Sequence, residues 1–209
     1  MQQALQLATR RLQASSELAC DTDYKLEAAI LLGHILNKNR AWLYAWPEHL
    51  LDESQHQSFK TLIEKRVSGE PVSYLTGTRE FWGLSFKVTR DTLIPRPETE
   101  LLVETALDRV TKNNARVLEL GTGTGAISAA LANERPDWKI LATDKAPETL
   151  RIAQLNLARF SSVTTLISNW YEQLENQKFD LVISNPPYIE TDAPHLQQGD
   201  LRFEPRAAL

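Results

Sequence analysis

The chain holds one cysteine, Cys20, among 209 residues. That excludes a disulfide framework and any cysteine-built zinc or iron–sulfur site. No apolar run approaches the roughly 18 residues that mark a membrane-spanning helix. The start, Met1-Gln2-Gln3-Ala4, lacks the basic-then-apolar layout of a signal peptide. Positive charge is not in excess either: 23 Lys+Arg face 27 Asp+Glu, for a formal net charge of −4. This balance argues against broad duplex binding, which relies on Lys and Arg neutralising phosphates. The four histidines, His34, His49, His56 and His195, show no metal-ligand spacing, and no metal is expected. What is present is an ordinary globular composition, 42% hydrophobic and 24% charged, in a chain long enough for one large domain or two small ones. A reducing, cytoplasmic setting is the default expectation.

Residues 1–72 read as a small helical bundle. Apolar residues recur at helical spacing over 4–12 and again over Tyr24–Leu36, with Asp21 or Asp23 placed to cap the second segment. Further helical segments are expected over 40–51 and about 52–67, the last stopped by Ser68-Gly69-Glu70-Pro71. Residues 73–95 read as a β-hairpin linker. Its strand-like runs are Val72-Ser73-Tyr74-Leu75 and Leu84-Ser85-Phe86-Lys87-Val88, around Gly77 and Gly83. Leu93-Ile94-Pro95-Arg96-Pro97 must be extended, because each proline pushes its predecessor away from helical angles. A helix is expected to start near Pro97, with Glu98 and Glu100 favourable at that end of the dipole.

Residues 96–209 alternate strands with helices. Val117–Leu120, Lys139–Thr143, Val163–Ile167 and 179–184 read as strands; 125–133 and 147–160 read as helices. This pattern predicts a parallel sheet with right-handed crossovers, a doubly wound, Rossmann-like α/β domain.

Between the first strand and its helix stands Gly121-Thr122-Gly123-Thr124-Gly125-Ala126. Glycines there allow a tight turn and a close approach of backbone to ligand, and the helix start behind them offers N–H groups to an anionic moiety. The other reading is a ligand-free turn, which three alternating glycines disfavour. Gly121, Gly123 and Ala126 also satisfy the dinucleotide fingerprint, so an NAD-dependent oxidoreductase stays open. Asp144 ends the second strand, where a carboxylate can accept from ribose hydroxyls. NAD and S-adenosylmethionine both carry such a ribose, so Asp144 supports a nucleoside cofactor without choosing between them. It also stands where a helix cap would, ahead of Ala146-Pro147.

The discriminating segment is Asn185-Pro186-Pro187-Tyr188, directly after Leu181-Val182-Ile183. Two prolines end the strand at the ligand-binding edge of the sheet. Pro186 keeps a carbonyl acceptor, Asn185 adds a side-chain acceptor, and two acceptors suit the two hydrogens of a planar NH₂ group. Tyr188 adds an aromatic face for a flat amide or base.

With these residues the sequence resembles the S-adenosylmethionine-dependent amino-group methyltransferases. More narrowly it resembles the HemK-type release factor glutamine methyltransferases. The resemblance runs along nearly the whole chain. It includes Arg79-Glu80-Phe81-Trp82, Leu93-Ile94-Pro95-Arg96-Pro97-Glu98-Thr99-Glu100, the glycine loop, Asp144, Asn-Pro-Pro-Tyr and Arg202-Phe203-Glu204-Pro205. It implies that Gly121, Thr122, Gly123, Thr124, Gly125, Asp144 and Asn185 hold S-adenosylmethionine. Trp170 would lie near the adenine, although it reads equally well as core. Asn185, Pro186, Pro187 and Tyr188 would bind the substrate amide, with Asn185, Pro186 and Tyr188 catalytic. Arg96 and Glu98 either shape the site or cap a helix. Asn169 stands where relatives carry an acidic residue, and its amide can meet the polar edge of an adenine.

The partners implied are class I peptide chain release factors, methylated on the Gly-Gly-Gln glutamine, by a monomer without direct nucleic-acid or membrane contact. A DNA adenine-N6 methyltransferase would use the same four residues on a flipped-out base. The family's sheet has three more strands after Asn-Pro-Pro-Tyr, whereas only 24 residues (209 − 185) follow Asn185 here. Parallel crossovers alone take at least ~10–12 residues each. The sheet is therefore expected to be incomplete, with a bare edge on its fourth strand, and an inactive truncated remnant is the remaining alternative.

Overall fold

Side-chain caps set the helices of the N-terminal half. The computed structural model describes residues 1–19, 22–190, 193, 196 and 199–209. Its first helices are α1 Gln2–Gln13, α2 Tyr24–Leu36, α3 Arg40–Ala45, α4 Glu53–Val67 and α5 Val72–Thr76. Asp23 opens α2 by accepting from the Leu26 amide at 2.9 Å; Asp21 lies outside the described residues. Asn39 caps α3 through the Trp42 amide, and Asp52 with Gln55 forms a reciprocal capping box on α4. The α2–α3 turn is so close that a Cβ on Gly33 would sit 2.7 Å from the Lys38 carbonyl oxygen. Leu12, Ala28, Leu31, Leu32, Phe59 and Ile63 join the helices in one core.

Two segments depart from the conformation their sequence suggests. The segment expected helical over 40–51 ends at Ala45, because Trp46 precedes Pro47 and leaves the helical region with ψ 57°. The run Val72–Leu75, expected as a strand, is the short helix α5. The amides of Tyr74 and Leu75 donate to the Pro71 carbonyl, and Val72 and Leu75 pack on the helical core. Burial on a helical surface here overrides the strand preference of Val and Tyr.

One compact unit comprises Met1–Thr76 together with Asp192–Phe203. Its polar centre is Arg66, 4% exposed. The guanidinium donates to both Glu27 oxygens at 2.9 and 3.0 Å, to Asp200 at 2.9 Å, and to the carbonyls of Gly69 and Glu70. Arg202 donates to Glu17 at 2.6 Å and to the Ser68 carbonyl. Gly69, at φ 94°, leaves room for that guanidinium, with which any Cβ would collide.

The second unit comprises Gly77–Thr191 and Glu204–Leu209. It opens with an antiparallel hairpin, β1 Thr78–Phe81 and β2 Leu84–Lys87. A 3₁₀ turn over Pro97–Thr99 leads into α6 Glu100–Arg109. Then follow β3 Arg116–Leu120, α7 Ala126–Glu134, β4 Lys139–Asp144, α8 Pro147–Leu157, β5 Val163–Ile167 and β6 Leu181–Ser184. The four strands β3 to β6 form a parallel sheet in the order β5-β4-β3-β6. Alternation along β3 feeds both faces. Val117 packs with Val103, Leu131 and Leu150 from the helices, whereas Leu118 and Leu120 meet Leu174 and Phe179 on the other side. The strand ends carrying Leu120, Asp144 and Ser184 thus lie on one edge. No described helix is long and apolar enough to cross a membrane.

Breaking a buried ion pair by removing one partner leaves an uncompensated charge. Arg66→Met is therefore expected to lower the unfolding free energy by about 3 kcal/mol in urea titrations. A loss below about 1 kcal/mol, the scale of a surface pair, would show that Arg66 is not what holds residues 27, 69, 70 and 200 together.

Candidate active site

The glycine loop owes its shape to the strand before it. Glu119 of β3 is 1% exposed, between Leu118 and Leu120 in the middle of the sheet. Its Oε2 accepts from the Thr122 hydroxyl at 2.8 Å, from the Ser128 amide at 3.1 Å and from the Ser128 hydroxyl. Among the described residues Oε1 has no hydrogen-bond partner, and Glu119 lines a cavity of about 460 Å³. Burial pushes the Glu119 carboxyl up to about 7; its three donors oppose that rise and the nearby Asp144 charge adds to it. Nothing in the glycine motif itself marks Glu119, but a charged residue inside an otherwise apolar strand does.

Gly121 and Gly123 stand at φ 68° and 56°, and a Cβ on either would meet nothing within 4 Å. Glycine is needed there for the left-handed backbone, and the space beside it is open. Gly125, at φ 81°, has a different duty. It caps α7, a Cβ on it would lie 2.9 Å from Leu157 Cγ, and it is not part of the cavity lining. Thr122 and Thr124 are buried and line the cavity.

Asp144, at the end of β4, also lines it. Its Oδ2 accepts from the Gly123 amide at 3.1 Å and its Oδ1 from the Ala146 amide at 3.0 Å. It thus ties the glycine loop to the start of α8, and each oxygen keeps further accepting capacity. Beyond β5, Ser168, Asn169 and Trp170 continue the wall. Trp170 takes φ 50° and is 53% exposed, which places it at the cavity rather than in the core. Asn169 donates one Nδ2 hydrogen to Glu172 at 2.7 Å, which leaves its second Nδ2 hydrogen and its side-chain oxygen for other partners.

Asn185, Pro186 and Pro187 line the cavity at the end of β6. The Asn185 Nδ2 donates to the Thr99 hydroxyl at 3.2 Å, so the Pro-Arg-Pro-Glu-Thr-Glu segment braces the turn. Tyr188 is not among the lining residues and is 79% exposed. Its amide and that of Ile189 donate to the Leu209 carbonyl at 2.9 and 2.8 Å. Arg96 lines the cavity, whereas Glu98 is exposed on the 3₁₀ turn away from it. Arg90, Lys145 and Thr99 are lining residues that the motifs alone did not single out. His195 lies outside the described residues.

A glycine loop and a proline-stiffened acceptor turn on one edge of a parallel sheet define a class, and residues 97–200 match the methyltransferase small domain. Residues 3–77 match the PrmC N-terminal domain. The chain is 48% identical over 209 residues to the release factor glutamine methyltransferase of Shewanella oneidensis, covering 99% of this chain and 71% of that protein. Against the Escherichia coli K12 enzyme of the same name, identity is 46% over 199 residues, 94% of this chain and 72% of that one. For the Vibrio cholerae enzyme it is 44% over 209 residues, 99% and 72%. The chain belongs to the release factor glutamine methyltransferase family.

The raised Glu119 value carries a sign. Between about 4.5 and about 7 the folded state holds a proton that the unfolded chain has released. The Glu119 contribution to stability is thus fully present below pH 4.5 and is lost as pH rises through 7. Glu119→Gln removes that slope. The stability of the parent relative to the variant is expected to be higher at pH 5 than at pH 8, by denaturant unfolding at both values. A difference that does not change with pH would place the Glu119 titration elsewhere.

Proposed function

We propose that this chain transfers a methyl group from S-adenosylmethionine to the side-chain amide nitrogen of the Gly-Gly-Gln glutamine in class I peptide chain release factors. The observation that carries this reading is the convergence of the glycine loop, Asp144 and Asn185-Pro186-Pro187 on one cavity, in a chain 44–48% identical to enzymes bearing that name. The relatives give no support to a DNA adenine methyltransferase or an NAD-dependent oxidoreductase, and the net charge of −4 suits a protein acceptor better than a polyphosphate one.

The residues present fit the cofactor. The left-handed glycines leave open space where a side chain would intrude. Asp144 has acceptor capacity for ribose hydroxyls, and Glu119 Oε1 is an acceptor for a cationic amine. Trp170 offers an aromatic face to a base. When bound, S-adenosylmethionine supplies a methyl group activated by the positive charge on its sulfur.

The rest of the chemistry falls to the chain. A carboxamide nitrogen is a weak nucleophile because its lone pair is delocalised into the carbonyl. Asn185 Oδ1 and the Pro186 carbonyl are acceptors for its two hydrogens, and their hydrogen bonds strengthen as positive charge grows on nitrogen during attack. Pro187 stiffens the turn that carries them, so the acceptors do not reorganise as the nitrogen–carbon bond forms and the carbon–sulfur bond breaks. The proton then surplus on nitrogen leaves to solvent, with no strong base required.

Asn185→Ala is expected to lower kcat by at least about 100-fold, the scale of losing one aligned partner of a developing charge. S-adenosylmethionine affinity should stay within a few-fold, checked by transfer of labelled methyl to a purified release factor and by calorimetry. Near-parental turnover would remove the amide clamp from the mechanism. Asp144→Ala is expected to act the other way, weakening cofactor binding by about tenfold for a lost charged hydrogen-bond acceptor. An unchanged dissociation constant would count against the ribose assignment.

A further inference from the structure

Pro95-Arg96-Pro97 and Glu204-Pro205 meet on one wall of the cavity. Glu204 has a fully buried side chain, at 0% exposure. Its Oε2 accepts from the Ile94 amide at 3.2 Å and its Oε1 from Arg96 Nη2. Arg96, by contrast, is 31% exposed and lines the cavity together with Thr99, Asn185 and Pro186. Among the described residues its guanidinium has no second hydrogen-bond partner, which leaves most of the guanidinium donors for something that enters the cavity. The segment Glu204–Leu209 is fastened at both ends. Glu204 holds residues 94 and 96, and the Leu209 carbonyl accepts from Tyr188 and Ile189, while Pro205, Ala207 and Ala208 form wall between them.

A fully buried carboxylate is poor value for stability alone, since an apolar residue of similar shape avoids its desolvation. Its use is to fix the position and charge of its partner. Paired with Glu204, Arg96 adds no net charge to the wall, so it does not repel a sulfonium cofactor or a nitrogen turning cationic. The same pairing lowers its attraction for an anionic ligand and leaves a planar set of donors suited to neutral oxygens. Asn185 and Pro186 are acceptors and leave the carbonyl oxygens of an acceptor peptide unpartnered. Arg96 is the donor on the same wall.

We propose that Arg96 is a further acceptor-binding residue, donating to carbonyl oxygens of the methyl-accepting peptide, and that Glu204 is its positioning residue. This rests on the glutamine-methylation reading.

The test uses the full chain and its Arg96→Met, Arg96→Lys, Glu204→Gln and Arg96→Met/Glu204→Gln variants. Calorimetry measures S-adenosylhomocysteine binding, and then release-factor binding to the S-adenosylhomocysteine-loaded protein. Arg96→Met is expected to weaken release-factor binding about tenfold, with S-adenosylhomocysteine affinity within about threefold. Arg96→Lys recovers little, because an ammonium lacks the planar fork. Glu204→Gln weakens release-factor binding in the same direction, and the double variant binds no worse than Arg96→Met alone, since Glu204 acts through Arg96. Parental release-factor affinity in Arg96→Met overturns the proposal. So does an equal loss of both ligands in that variant, which would make Arg96 part of the scaffold, or a Glu204→Gln effect that adds in full to Arg96→Met. A parent that binds neither ligand overturns the functional reading itself.

Discussion

The site depends on a carboxylate kept inside a sheet. Glu119 sits in the central strand with one oxygen gathering three donors, two from Ser128 at the start of α7 and one from Thr122 in the glycine loop. These bonds tie the glycine loop, with its left-handed turns at Gly121 and Gly123, to the helix that follows it. The hydrogen bonds only partly offset the desolvation of the charge, as the carboxyl value near 7 shows. Asp144 completes the brace from the neighbouring strand through the Gly123 amide. Asp144, joined by Glu119 where that carboxyl is ionised, gives this side of the cavity a negative character, which favours a ligand carrying positive charge.

Much of this fold is legible in the sequence because periodicity and punctuation act locally. The cap at Asp23, one of the two candidates with Asp21, the stop before Pro71, the parallel strand–helix alternation and the break of β6 at Pro186 follow from spacing alone, whereas the capping role of Asp52 does not. Where the local structure departs from what the motifs suggest, the causes are physical. Val72–Thr76 has strand-forming residues but takes its conformation from the helical core beneath it. Gly125 belongs to the glycine motif, yet its lack of a side chain serves packing against Leu157. Tyr188 shares a motif with Asn185 but stands exposed outside the cavity lining, because the backbone after Pro187 turns to donate to the Leu209 carbonyl. A four-residue motif does not say which of its members face the same way.

The pairing least visible in sequence is the one between Arg96 and Glu204, which are 108 positions apart. Neither residue carries a local signal of partnership. Each stands beside prolines, Pro95 and Pro97 in one case and Pro205 in the other, which restrict the backbone on either side of the pair; Arg96 precedes the 3₁₀ turn Pro97–Thr99, and Glu204 lies between the 3₁₀ turns Gly199–Phe203 and Arg206–Ala208. Extended backbone at a cavity wall leaves amides in need of acceptors, and Glu204 meets that need for Ile94 as well as holding Arg96. Thr99, three residues on, accepts from the Asn185 side-chain Nδ2. The loop that carries the acceptor turn is thus braced by segments from both ends of the methyltransferase unit.

Charge then decides which acceptor such a wall tolerates. Asn185 and Pro186 offer oxygen lone pairs, so a glutamate carboxylate in place of a glutamine amide would set oxygen against oxygen, with no hydrogens to share. A site built around hydrogen-bonding acceptors rejects an analogue that lacks the donors far more strongly than it rejects one of slightly different size. An unpaired arginine at this wall would work against that selection by attracting the carboxylate. With Glu204 buried behind it, Arg96 contributes directional donors and little net charge. On the proposed reading the two halves of the site favour the same ligand, a peptide with a neutral carboxamide whose hydrogens meet one set of groups and whose backbone oxygens meet the other.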